Sequence, residues 1–143
     1  MLELDHHVSR RADQAVVADA MLTIAETATR ATRVGEVRAT FADDHRHAVV
    51  VLDGTVVLTV LDRGDLIAEL GDDDRVGRLG TLADRVVAPH APLEATRQRM
   101  IATRRRRLAV VDSDGTYRGL LCLKSAGTGF CSDDDVRARA AEL

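Results

Sequence analysis

The stretch Val49–Leu66, VVVLDGTVVLTVLDRGDL, places two apolar runs, an Asp-Gly turn and two carboxylates, Asp62 and Asp65, in direct succession. Runs this short and this rich in β-branched residues read as strands. Asp53-Gly54 between them is a hairpin signal. The run Ala48–Leu52 is therefore one strand and Thr55–Leu61 the next, and the open question is why an oily hairpin ends on two aspartates.

The same pattern recurs about sixty residues later, and a repeat has to be recognised before any fold is assigned. Leu108–Val111 is the second apolar run, Asp114-Gly115 its turn and Tyr117–Leu123 its partner strand. A helical stripe precedes each hairpin: Val34, Val37 and Phe41 in one copy, Leu93, Thr96, Met100 and Ile101 in the other. Pro92 suits the first turn of the second helix, where its missing N–H costs nothing. Downstream, Arg63–Gly71 reads as a helix opened by acidic residues, with Leu66, Ile67 and Leu70 facing inward, and DDDVRARAAEL ends the chain in the same manner. Short strands are expected before each copy, in Ala15–Leu22 and Ala83–Ala88. The unit is thus β-α-β-β-α, twice, in the α/β (α+β) class. An N-terminal extension occupies 1–14, the first repeat 15–73, and the second 74–143 with its C-terminal helix.

The totals bound the function. A chain of 143 residues can bury roughly 70% of its unfolded surface, and 45% hydrophobic with 30% charged residues is a globular composition. Apolar runs are strand-sized, so no membrane span is expected. The start MLELDHHVSRR carries acidic residues where a secretory leader is basic, which sets a cytoplasmic expectation. A net charge of -3 and three aromatic residues argue against nucleic acid. Cys122 and Cys131 are too few and too irregularly spaced for a disulfide framework or a zinc knuckle, and both are expected as reduced thiols.

Taken together, the order of elements, the opening Val17-Ala18-Asp19-Ala20-Met21, the strand Val49–Asp53 and the position of Asp65 resemble a tandem pair of CBS domains, the family named for cystathionine β-synthase. The resemblance covers roughly Val16–Gly127. It implies two repeats packed sheet to sheet about a pseudo-twofold axis, no catalytic residues, and clefts between the repeats. Such clefts hold adenosine-containing ligands such as AMP, ATP, NAD or S-adenosylmethionine, with no cofactor required. Pairing of two modules, here a homodimer, and a separate effector protein are further implications. On this resemblance Asp65 accepts hydrogen bonds from ribose hydroxyls, a task suited to an acceptor-only carboxylate.

The sequence departs from the family pattern in both copies. Asp62 stands where a Thr or Ser would face phosphate. Two like charges about 4 Å apart at an effective dielectric of about 20 repel by about 4 kcal/mol, close to a thousandfold in affinity. Compensation has to come from Arg63 or from an arginine of the other repeat, Arg107 among the run Thr103–Leu108. In the second copy the corresponding positions are Cys122 and Ser125, and Gly80-Thr81 replaces Met-Thr. Asp62 and Asp65 equally suit a helix start, where carboxylates meet free N–H groups and the positive dipole end.

Other motifs have plainer readings. Asp43–His47, DDHRH, offers four ligands of the types a metal takes, but sequential neighbours rarely all converge on one ion, and no metal is expected; His47 can line the cleft of Asp62 and Asp65. The arginine run resembles a phosphate patch, with a solvated surface as its default. AGTGF lacks the third glycine of a dinucleotide fingerprint, since Ser132 stands there. The two functions left standing are a ligand-sensing regulatory module and a structural dimerisation or interaction module with decayed sites.

Overall fold

The structure is a computed structural model that describes residues 14–141. The N-terminal extension, apart from Gln14, lies outside the described residues, and so does the question of whether it docks or frays. The elements are β1 (Thr27–Thr29), α1 (Val34–Phe41), β2 (Val49–Asp53), β3 (Val56–Leu61), β4 (Val86–Val87), α2 (Leu93–Thr103), β5 (Arg107–Val111), β6 (Tyr117–Cys122) and α3 (Asp133–Ala141). They form two three-stranded sheets, ordered β1-β2-β3 and β4-β5-β6. In each, the first strand is parallel to the second and the hairpin is antiparallel.

Strand register fixes the internal repeat. Thr27 pairs with Val50 and Val86 with Ala109, so the copies stand 59 residues apart (109 less 50) up to the hairpin. Val50 pairs with Val60 and Ala109 with Leu120, so the separation becomes 60 (120 less 60) beyond it. Both hairpins carry their register shift at the same place, after Val51 and after Val110. The correspondence of Asp62 with Cys122, and of Asp65 with Ser125, follows from this register.

The strands are apolar on both faces because both faces are covered. Val49, Val51 and Leu61 pack with Val34, Val37 and Phe41 of α1. Leu108, Val110 and Leu121 pack with Met100 of α2. The alternate residues Val50, Val57 and Val60 meet Ala109, Leu120 and Cys122 of the other sheet. The layers therefore run helix, sheet, sheet, helix, with the period of two sending each strand residue to one core or the other.

Two sequence expectations are corrected here. Ala15–Leu22 is not a strand: Val17–Asp19 forms a 3-10 turn in which the Asp19 carboxylate accepts from the Val16 N–H at 2.8 Å. That local bond competes with any ladder, and the first parallel strand is Thr27–Thr29 instead. Ala83–Ala88 does contain the short strand β4. Arg63–Gly71 is not an α-helix either. It makes one 3-10 turn, Arg63–Asp65, and then leaves helical geometry at Leu66, where ψ is 68°. Arg38 of α1 takes the Ile67 and Leu70 carbonyls at 3.0 and 2.9 Å, so carbonyls a helix would use are bound from outside. Leu66 and Leu70 still reach the first core, whereas Ile67 is 53% exposed.

The sheets are stitched by two equivalent crossings. Leu22, ahead of β1, bridges Leu120 of β6; Thr81, ahead of β4, bridges Val60 of β3. Each crossing contains one glycine at the contact. A Cβ on Gly80 would lie 2.4 Å from the Val60 carbonyl oxygen, and one on Gly119 would lie 2.4 Å from that of Leu22. In the first crossing the glycine belongs to the linking segment, and in the second to the strand. Gly80 also holds φ at +74°, so the absence of the family's Met-Thr there has a steric cause. Gly80→Ala is expected to destabilise the fold by about 2 kcal/mol or more in urea unfolding, while Gly129→Ala, which meets nothing within 4 Å, changes little.

Candidate functional site

The pseudo-twofold axis relates two clefts. The second, of about 340 Å³, lies between the end of β3 with its following turn and the segments around Arg85 and Arg104–Arg107. Its floor is an ion-pair knot. The Arg85 guanidinium donates to Asp65 Oδ2 at 2.5 Å, to Asp65 Oδ1 at 3.4 Å and to the Val60 carbonyl at 2.7 Å, and lies 3.0 Å from Asp62 Oδ2. Only 10% of the Arg85 side chain and 19% of that of Asp65 are exposed. Arg105 adds a second cation 3.5 Å from Asp62.

The aspartates also build their own turn. Asp62 accepts from the Gly64 N–H at 3.0 Å, and Asp65 accepts from the Asp62 N–H at 2.8 Å, a reciprocal cap of the 3-10 turn. The opening question thus has a structural answer: the carboxylates end the hairpin because they cap its exit turn and bind an arginine of the other repeat. Arg63 does not offset them. Its guanidinium donates to the carbonyls of Phe41, Asp43 and Arg46 and lies 5.1 Å over the Phe41 ring, tying the turn to the end of α1.

The first cleft, of about 310 Å³, has a different lining. Leu22 and Leu120, paired through the crossing, form its apolar lining with Ile24, Ala25 and Val136. His47, Arg46, Arg107 and Arg137 stand with Glu26 around the opening. Arg107 donates to the His45 carbonyl at 3.0 Å and so ties β5 to the loop of the first repeat. Arg46 is 3.1 Å from Glu26. Glu26 occupies the place in the first repeat that Arg85 holds in the second, so one position has reversed its charge between copies (85 less 59). Burial, and next the guanidinium of Arg107, lower the pKa of His47 to about 4, with Arg106, Arg63 and His45 adding to the effect.

The sequence-predicted residues therefore divide. Asp62 and Arg63 line the second cleft, Asp65 stands behind its rim on Arg85, and His47 and Arg107 line both clefts. Ser125 is exposed and lines neither. Arg85 was not singled out by sequence reading, although the charge reversal against Glu26 becomes visible once the repeats are aligned at 59 residues. The expectation of reduced cysteines is also corrected: Cys122 and Cys131 form a disulfide, with Cα atoms 5.4 Å apart. The turn after β6 doubles back, and the Cys131 N–H donates to the Cys122 carbonyl at 2.8 Å, so residues nine apart in sequence become neighbours. Among the described residues no group of His, Cys, Asp or Glu has the arrangement of a metal site, and no helix is long and apolar enough to cross a membrane.

Comparison with known proteins agrees with this architecture. The sequence pattern described as the CBS domain matches residues 84–125. No curated protein matches the chain. Among solved structures, that of CBSX2 in complex with AMP superposes with a TM-score of 0.64 at 23% identity, covering 90% of this chain and 98% of that one. A putative acetoin utilization protein (AcuB) from Vibrio cholerae gives 0.62 at 21% identity, covering 91% and 93%. A CBS domain pair/ACT domain protein from Thermotoga maritima gives 0.65 at 17% identity, covering 90% and 99%. Residues 84–125 thus match the CBS domain, and the chain carries the fold of a CBS domain pair.

Two expectations follow from the clefts. Arg85→Met leaves the largely buried Asp65 without its cation, with Arg105 still beside Asp62, and is expected to cost about 3 kcal/mol or more in chemical denaturation. Asp62→Asn combined with Asp65→Asn in that background should recover part of the loss, and full additivity would show that the knot is not coupled. For His47, the folded pKa of about 4 lies below the ordinary 6.5, so the unfolded chain takes up the proton first. Its contribution to stability then falls as the pH drops from 6.5 towards 4 and is constant below that. An NMR titration should place the His47 midpoint near 4; a midpoint at 6.5 or above contradicts the cleft as described.

Proposed function

We propose that the chain is a regulatory ligand-sensing module that takes an adenosine-type ligand into the first inter-repeat cleft. One observation carries the reading: of the two clefts, that one combines an apolar lining, suited to a purine, with cationic side chains suited to phosphate. Glu26, with 68% of its side chain exposed, supplies a carboxylate acceptor for ribose hydroxyls. His47, Arg46 and Arg107 face the phosphate end. In the second cleft Asp65 is the acceptor a ribose would need, and Arg85 covers it. Binding there requires the guanidinium to swing from the carboxylate to the ligand, so the second cleft is the weaker site. No cofactor is needed. The signal passes to a second copy of the chain or to a separate effector protein, for which the exposed Ile67 and Ile101 offer apolar contacts.

A second reading is favoured by the ion-pair knot itself. With its carboxylates held by Arg85, the second cleft is a joint rather than a binding site, and a pair whose two clefts were both joints would be a structural dimerisation module. The two readings separate in thermal unfolding with adenosine, AMP, ATP, NAD and S-adenosylmethionine. A ligand at about a hundred times its Kd adds roughly 2.7 kcal/mol, a shift of several degrees for a chain of this length. The expected result is a shift with AMP that Ala25→Trp abolishes and Asp65→Asn retains. AMP should also raise the His47 midpoint, because a phosphate dianion favours the imidazolium. No shift with any of the five compounds would leave the dimerisation module in its place.

A further inference from the structure

We infer that Cys122 and Cys131 are a reversible thiol–disulfide site that fixes α3 as a wall of the first cleft. Its consequence for binding rests on the ligand reading above, whereas its chemistry does not.

The disulfide stands between two concavities. Cys122 ends β6, is 1% exposed and belongs to the neighbourhood of the first cleft. Cys131 is 6% exposed and borders a separate open groove of about 450 Å³, with Met21, Phe130, Asp19, Asp133, Asp134 and Arg137. A reductant in the groove therefore reaches the Cys131 sulfur, while the Cys122 sulfur is the one released towards the cleft. Two residues after Cys131, α3 begins, and its Val136 and Arg137 line the cleft. Besides the disulfide, this segment is tied to the end of β6 by the Cys131 N–H on the Cys122 carbonyl, the Leu123–Phe130 bridge and Lys124 at 3.9 Å from Asp135, and to the first repeat by Asp133, which accepts from the Thr23 N–H and hydroxyl at 2.8 and 2.7 Å. The disulfide is the one covalent tie among these contacts, and it joins the start of the α3 segment to the last residue of β6.

The exchange balances with a dithiol as partner. A thiolate of the dithiol attacks Cys131 Sγ; the S–S bond breaks and its electron pair leaves on Cys122 Sγ, which takes a proton from solvent. The second thiol of the partner then displaces Cys131, giving a cyclic disulfide and two protein thiols, with two electrons and two protons transferred. The reverse reaction uses a disulfide oxidant. Three carboxylates against one guanidinium in the groove disfavour an anionic thiol, so the fitting partner class is an uncharged or cationic dithiol. Reduced sulfurs must part from a bond of about 2.0 Å to a non-bonded contact of about 3.5–4 Å, which moves the α3 wall outward. Disulfides that occur in a reducing compartment are usually redox-sensing or catalytic rather than structural.

The test compares the full chain in oxidised and reduced dithiothreitol by hydrogen exchange, with Cys131→Ser and, separately, Cys122→Ala as locked forms. Reduction should speed exchange of amides 131–138 at least tenfold and leave the β2-β3 hairpin unchanged. Both variants should match the reduced state and ignore the reductant. Reduced dithiothreitol should open the bond at least tenfold faster than glutathione at equal thiolate. The Kd for AMP should differ at least fivefold between the two states. Failure of the disulfide to form in oxidised dithiothreitol, or equal exchange in both states, overturns the site. A clear exchange response with no AMP binding in either state upholds the site and removes the ligand reading instead.

Discussion

The guanidinium of Arg85 joins the two repeats by holding Asp65, Asp62 and the Val60 carbonyl at once. A cation this deeply placed is tolerated only when its charge and its N–H groups are matched, and removing one partner of such a pair costs more than the pair itself contributes. The match is good but incomplete: Nε of Arg85 is buried without a partner. The knot thus fixes the exit of the first hairpin, the segment before β4 and the relation between the sheets, through the carboxylates of Asp62 and Asp65.

A near-symmetric backbone consequently carries two unlike sites. Leu22 on Leu120 and Thr81 on Val60 make the same crossing twice, yet the charge at the position before each first strand is reversed, Glu26 in one repeat and Arg85 in the other. Where the arginine stands, the cleft is charge-compensated from within. Where the glutamate stands, it faces outward to Arg46 and leaves apolar walls open behind it. The difference between the two clefts comes from that reversal rather than from the hairpin aspartates alone.

Much of this fold was legible because its signals are local. The helical stripes of α1 and α2 and the two hairpins come from periodicity within a dozen residues, and the offset between copies from the recurrence of that pattern. What escaped depends on contacts from afar. β1 is a strand of small residues, TAT, that exists only by pairing with β2. Arg63–Gly71 has a helical pattern but loses carbonyls to Arg38. The disulfide needs the chain to double back after β6. Residue type and place point to Asp62, Asp65, His47 and Arg107 near the clefts, whereas Arg85 is one arginine among many and becomes distinct only when the two repeats are superposed. Ser125 was named by register alone, and register says nothing about which way an exposed turn faces.

The central claim, that one cleft is open to ligand and the other closed by Arg85, is tested most directly by a crystal structure of the chain grown with AMP. The account predicts AMP in the first cleft, its base against Ile24, Ala25 and Val136, with Arg85 still on Asp65. AMP in the second cleft, with its ribose on Asp65 and Arg85 displaced, would contradict it.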